Sequence, residues 1–211
     1  MLRIGLTGGI GSGKTVCSKI FSMLGVPVFN SDVEARRLME TDQELKVAMK
    51  SLFNASFFLP SGLPDRKKIA ELVFAEPAKL KELNSLVHPA VFRAFDAWVK
   101  EHHDLVPYIL KEAAILFESG AATGTDYAIL VWSEPEMRMK RVLRRDNSTR
   151  EQVLNRIARQ MPEEEKMKLA NYIIYNDERH SVLEQVIKLD ALFRTVKFLL
   201  FILVTPFAKY L

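Results

Sequence analysis

Short apolar runs alternate along the chain with longer stretches in which apolar residues recur every three or four positions. Leu2–Leu6, Val26–Phe29, Tyr108–Leu110, Tyr127–Trp132 and Tyr172–Ile174 are short and rich in β-branched or aromatic residues, as buried strands are. Lys14–Leu24 places Val16, Ile20, Met23 and Leu24 at helical spacing. Pro77–His103 reads as one long helix that Pro89 should break or kink, and Glu136–Arg145 and Arg150–Met161 read as basic helices. Strands alternating with helices predict an α/β fold of three layers, a five-stranded parallel sheet with helices on both faces. Residues 42–103 form an unusually long helical excursion between two strands, which reads as an insertion covering a substrate.

Composition narrows the class. The 211 residues are 48% apolar and 27% charged, which suits one globular domain. Thirty Lys and Arg face 26 Asp and Glu. That excess is too mild to suggest a nucleic-acid partner, yet it leaves room for a locally basic cleft. A single cysteine, Cys17, excludes an internal disulfide and is expected to be a small buried residue of the first helix. The opening MLRIGLTGG does not read as a signal peptide. The longest apolar stretch, Phe198–Val204, is far shorter than the roughly 20 residues a membrane span needs, so no membrane partner and a cytoplasmic location are expected. All nine glycines lie at or before Gly124, four of them between Gly8 and Gly13. The early loop is therefore specialised and the last third should be mostly helical.

That loop carries the sharpest chemistry. Gly8-Gly9-Ile10-Gly11-Ser12-Gly13-Lys14-Thr15 matches G-x-x-x-x-G-K-[ST] between an apolar strand and an amphipathic helix. Glycines let successive N–H groups curl around phosphate oxygens, and the following helix aims its positive end at the anion. The expected ATP contacts are Gly9, Gly11, Ser12, Gly13, Lys14, Thr15 and Val16. Lys14 would reach the β- and γ-phosphates and the Thr15 hydroxyl would hold Mg2+.

Three kinds of phosphate-loop protein compete. A guanine-nucleotide switch would carry Asn-Lys-x-Asp and D-x-x-G segments, and neither occurs. A motor would place an acid straight after an apolar strand. Here Tyr127–Trp132 is followed by Ser133-Glu134-Pro135, and Glu134 reads better as a helix-start residue. A small-molecule kinase has positive support. Asp32 follows the second strand, where parallel sheets bind ligands, and could orient an acceptor hydroxyl; it could also merely cap the helix Val33–Glu40. Arg36, one turn along, favours a substrate site. The stretch 136–160 holds Arg138, Lys140, Arg141, Arg144, Arg145, Arg150, Arg156 and Arg159. It reads either as solvated helix faces or as a lid, 136–169, whose arginines neutralise charge during transfer. The remaining 1–41, 104–135 and 170–211 would form the nucleotide-binding core.

Later segments sharpen the choice. Gly5–Thr15, Asn30-Ser31-Asp32-Val33-Glu34-Ala35-Arg36, Gly62–Arg66 followed by Val73-Phe74, Leu83–Pro89, Glu112–Glu118, Arg145-Asp146, Arg156–Gln160 and Ala170–Asn176 resemble, in order and spacing, the motifs of the dephospho-CoA kinase family. The resemblance runs from about Leu6 to Asn176. It implies transfer of the ATP γ-phosphoryl group to the ribose 3′-hydroxyl of dephospho-CoA, giving CoA and ADP. It implies Asp32, Lys14, Arg145 and Arg141 as catalytic groups and Asn176 as a further ATP contact. It also implies Arg36, Arg66, His88, Glu112 and Glu118, with Asp32, as substrate contacts, the pantetheine arm lying on the insertion. His88 could equally be a helix residue ahead of a proline kink. The chain departs from the family at Asn30, Glu112, Ala114 and Asn171; Glu112 keeps the charge and adds a methylene. The rivals are another phosphate-loop metabolite or nucleotide kinase and an ATP-binding switch that does no acceptor chemistry. A monomer or weak homo-oligomer is expected, with the apolar stretch 195–211 packing on the core, joining a second copy or resting on a membrane surface.

Overall fold

The computed structural model describes residues 1–102, 105–146 and 148–204, and only the backbone of Phe74 and 197–204. Two compact units emerge, one of Met1–Asn30 with His102–Leu211, the other of Ser31–Glu101. The second unit takes in Ser31–Thr41, which the sequence pattern assigns to the nucleotide-binding core.

The first unit is built on a parallel sheet. Its strands are β1 (Leu2–Thr7), β2 (Val28–Asn30), β3 (Tyr108–Glu112), β4 (Tyr127–Trp132) and β5 (Tyr172–Tyr175), in the order β2-β3-β1-β4-β5. The central strands are covered on both faces, which is why they read as unbroken apolar runs: Ile4, Leu6, Ile109, Leu110, Ile129 and Val131 have no exposed surface. After β1 the chain crosses to β2 on one side, and after β3 it crosses to β4 on the other. The neighbours β1 and β3 therefore flank a switch point, where a crevice opens beyond the strand ends. Register brings Leu6, Glu112 and Asn30 level across β1, β3 and β2.

Helix α1 (Lys14–Met23) leaves the phosphate loop. Its buried face is Cys17, Ser18 and Phe21, with Ile20 and Leu24 packed beside it. Val16 and Met23, expected on that face, are 55% and 86% exposed; the i, i+4, i+7 line from Cys17 runs through Phe21 and Leu24 instead. Burial pushes the Cys17 thiol up to about 12.

The second unit is helical: α2 (Ser31–Thr41), α3 (Gln43–Leu52), α4 (Arg66–Ala75) and α5 (Pro77–His102), the last reaching one residue past the unit. Asp42 caps α3 by accepting the Leu45 N–H at 2.8 Å, and Asp65 caps α4 through Lys68 N–H at 3.2 Å. Pro89, expected to break or kink this segment, does not break α5. The proline is exposed, while Val87, Ala90, Val91 and Phe95 are buried on both sides of it. Burying such a face outweighs the roughly 3 kcal/mol a mid-helix proline costs.

The first unit closes with α6 (Pro135–Asp146), α7 (Arg150–Ile157), α8 (Glu163–Leu169) and α9 (Val182–Val204). Glu134 stands just ahead of α6, its carbonyl taking the Arg138 N–H, as a helix-start residue does. The helix expected over Arg150–Met161 ends at Ile157, and Pro162 starts α8. Phe193 of α9 packs against Tyr108, Tyr127 and Tyr172. The side chains of the apolar stripe expected within 195–211 lie outside the described residues from Lys197 onward, as do Asn147 of the proposed lid turn and His103 at the end of the insertion. Among the described residues no helix is long and apolar enough to cross a membrane.

Candidate active site

The loop closes at the carboxyl edge of β1. Gly11 and Gly13 hold φ of 79° and 99°, which side chains resist. At Gly13 a Cβ would also collide with the amide of Asn176. That amide donates to the Ser12 carbonyl at 2.7 Å, so the end of β5 is fastened to the loop. Ser12 N–H turns back to the Gly9 carbonyl at 3.0 Å. Lys14 Nζ lies 2.7 Å from the Gly8 carbonyl, folded back along the loop it is expected to serve. Val16 N–H bonds the Gly13 carbonyl at 3.0 Å as α1 begins.

Next to Lys14, two residues from two other segments meet on the Glu112 carboxylate. The Thr15 hydroxyl donates to Glu112 Oε1 at 3.3 Å, and Asn30 Nδ2 donates to Oε2 at 3.0 Å. Glu112 is 5% exposed, so these bonds occupy a buried charge that would otherwise be costly. An acid in place of Asn30 would face Glu112 with like charge. The amide removes that conflict and explains how a longer carboxylate fits at position 112. A hydroxyl and a carboxylate are hard oxygen donors of the kind Mg2+ takes, alongside phosphate oxygens and water; Thr15 and Glu112 fit that ion.

Arg141 of α6 reaches the same edge. It donates to Ser133 Oγ at 3.1 Å and to the carbonyl and Oδ1 of Asn176, each at 3.3 Å. Arg145 is placed differently, gripping its neighbour Asp146 with contacts of 2.6 and 3.0 Å. Arg156 adds a third contact to Asp146 at 2.9 Å. Arg145, with help from Arg156, holds the Asp146 carboxyl at about 2. Glu118, expected on substrate, accepts the Met161 N–H at 2.9 Å and pairs with Lys166 at 3.3 Å.

In the second unit, Arg36 and Arg66 share a cleft of roughly 530 Å3 with Lys67 and the apolar side chains of Met39, Ile69, Val73 and Leu83. Arg66 also meets Glu40 at 3.3 Å. Three cations beside an apolar trough suit a ligand with phosphates at one end and an uncharged arm at the other. Asp32 is exposed. Because α2 begins at Ser31, Asp32 lies within its first turn rather than ahead of it. His88 packs against Phe92 with ring centres 6.2 Å apart, and burial lowers its pKa.

Glu163 and Lys166 give no functional signal in the sequence. Lys166 has no exposed surface, yet Glu163-Glu164-Glu165-Lys166 reads as a solvated helix start. Only the burial of one member of that run separates it from an ordinary surface.

Comparison with known proteins places the chain in one lineage. Residues 2–181 match the family model described as dephospho-CoA kinase. A dephospho-CoA kinase of Bacteroides fragilis is 36% identical over 190 residues, covering 90% of this chain and 92% of its own. A crystal structure of a Thermus thermophilus protein is 34% identical with a TM-score of 0.79, covering 90% of this chain and 96% of that one. The dephospho-CoA kinase of Campylobacter jejuni is 26% identical with a TM-score of 0.65, over 92% and 97%.

Proposed function

The chain belongs to the dephospho-CoA kinase family, and on that premise we propose that it transfers the γ-phosphoryl group of ATP to the ribose 3′-hydroxyl of dephospho-CoA, releasing CoA and ADP. The observation that carries this reading is the loop Gly8–Thr15 at the carboxyl edge of β1, inside the segment that matches the family.

The roles divide by chemistry. Backbone N–H groups of Gly9, Gly11, Gly13 and Thr15 cradle the phosphates, Ser12 and Val16 fix the curl through their own bonds to the Gly9 and Gly13 carbonyls, and Lys14 swings from the Gly8 carbonyl to the β- and γ-oxygens. Thr15 and Glu112 would hold Mg2+, which when bound offsets charge between those phosphates. Asn30 keeps Glu112 oriented through its second oxygen. Arg141 and Asn176 frame the nucleotide where β5 meets the loop. Arg145, within the lid 136–169, exchanges Asp146 for phosphate oxygen as transfer proceeds. Asp32 accepts the proton of the 3′-hydroxyl and aligns its oxygen for attack on the γ-phosphorus. Arg36 and Arg66 hold the acceptor's phosphates, and the apolar wall of their cleft takes the pantetheine arm. Both substrates are small diffusible molecules, which suits a cytoplasmic enzyme acting as a monomer or weak homo-oligomer.

The test is ADP release with ATP and Mg2+, with and without dephospho-CoA, and a mass measurement on the product. Strong stimulation and a product heavier by about 80 Da, one added HPO3, are expected. ADP release that ignores dephospho-CoA would sink the assignment.

A further inference from the structure

The crown of the phosphate loop is gripped from outside by a closed ring of polar contacts. Ile10 gives its N–H to Gln160 Oε1 at 2.9 Å and receives Arg138 Nε–H on its carbonyl at 3.0 Å. Arg138 meets Glu163 Oε1 at 3.0 Å. Lys166 Nζ lies 3.8 Å from that same oxygen and 3.3 Å from Glu118 Oε1. Glu118 Oε1 accepts the Met161 N–H, and Met161 adjoins Gln160, where the circuit returns to Ile10. The fit is tight: a Cβ at Gly9 would collide with the Arg138 guanidinium and the Glu163 carboxylate. The Ile10 side chain packs on the small cluster of Met139, Val142 and Val153.

This ring is an expensive way to stabilise a fold. It withdraws two cations from water, the Arg138 side chain being 4% exposed and that of Lys166 0%, and holds two carboxylates that are only 14% and 20% exposed. Neither Lys166 Nζ nor Glu163 Oε2 gains a hydrogen bond; the Lys166 contacts are ion pairs only. Buried pairs of this kind commonly add little net stability over apolar packing, and their best-attested return is in specifying one arrangement. Here the arrangement specified is the backbone of Gly9 and Ile10. With both polar groups of Ile10 engaged from outside, the crown is held back from turning inward over the hollow of the loop.

We propose that Arg138 and Gln160, backed by Glu163, Lys166 and Glu118, are positioning residues that preorganise the phosphate loop for ATP. They act through the backbone of Ile10, and Glu118 serves this ring and not the acceptor. The inference rests on reading Gly8–Thr15 as the ATP site. Preorganisation shows as affinity, because the cost of ordering the loop is met before the ligand arrives.

The test is calorimetric titration of ADP with Mg2+ into the full-length protein, its Arg138→Met variant and its Gln160→Met variant, with steady-state kinetics and a melting curve for each. Arg138→Met should weaken ADP binding and raise KM for ATP by about tenfold or more, the scale of a lost charge-assisted hydrogen bond. KM for dephospho-CoA should move less than about twofold. Gln160→Met leaves the four charges in place and should shift the same two quantities by a smaller factor; it decides the question if Arg138→Met does not fold. A lowered melting temperature with ADP affinity unchanged in the variants would overturn the proposal, since a purely structural ring alters how much protein is folded and not how folded protein binds. Failure of the unaltered protein to bind ADP would overturn the ATP-site reading, and this inference with it.

Discussion

Asp32 and Asn30 stand close together in the chain and do different work. Asn30 faces a buried carboxylate and must be neutral; Asp32 is exposed on the first turn of α2, where a carboxylate is compatible with the helix dipole. Replacing Asp32 by Asn keeps its shape and removes its basicity, so kcat should fall by at least about a hundredfold with KM for ATP little changed. A steady-state assay decides this, and activity within a few-fold of the parent removes Asp32 from the chemistry. Asp146 gives a pH signature. Its carboxyl lies near 2 in the folded chain against 3.8 for the free group, so the unfolded chain binds the extra proton on acidification. The stabilisation is complete above about pH 4 and is lost as pH falls through 2. Because Arg145 is 64% exposed, screening keeps the effect small. Chemical unfolding at pH 5 and pH 2.5 should show a shallower acid loss in Asp146→Asn than in the parent. At this scale the loop residues were legible, since their spacing is itself the chemistry. The partnership of Asn30 with Glu112 was not, because its members lie 82 positions apart and each alone reads as a mere departure from the family.

Among the elements, all five strands were legible as apolar runs, the central ones because they are covered on both faces; the polar ends of β2 and β3, Asn30 and Lys111-Glu112, were not, because they belong to the site rather than the core pattern. Two helical readings were corrected by packing. Pro89 sits within α5 because the apolar face continues through it, a tertiary effect that local propensity does not contain. The helix expected to reach Met161 stops at Ile157, where a short turn leads to α8. The start of α7 was written more locally. Thr149 accepts the Gln152 N–H at 3.2 Å while the Gln152 side chain accepts the Thr149 N–H at 3.0 Å, a reciprocal cap. Thr149→Ala should cost about 1 kcal/mol, measured by denaturant titration; an unchanged midpoint would mean that α7 contributes nothing to the cooperative unit.

At the level of the whole molecule, the residues proposed for the two substrates fall in different units. The loop, Glu112, Arg141 and Asn176 belong to one; Arg36, Arg66 and their cleft belong to the other. Substitutions should therefore separate by substrate. The double change Arg36→Ala with Arg66→Ala should raise KM for dephospho-CoA by about tenfold or more, given two lost charged contacts, and leave KM for ATP within about twofold. Equal damage to both constants would argue against the cleft as the acceptor site. The helical excursion was legible as a length anomaly between strands. Its inclusion of α2 was not, since α2 follows β2 with no break in the sequence pattern.

Cys17 turns the first helix into its own reporter. It is the chain's single thiol, lies fully beneath the helix that carries Lys14 and Thr15, and holds its proton up to about pH 12. Thiolate is the reactive form, so a colorimetric disulfide reagent at pH 8 can react only during excursions that expose α1. The rate of colour release then clocks those excursions directly. ADP, by binding the closed form, should slow that clock in proportion to its occupancy, giving a label-free-until-opened measure of how firmly nucleotide clamps the loop to the sheet.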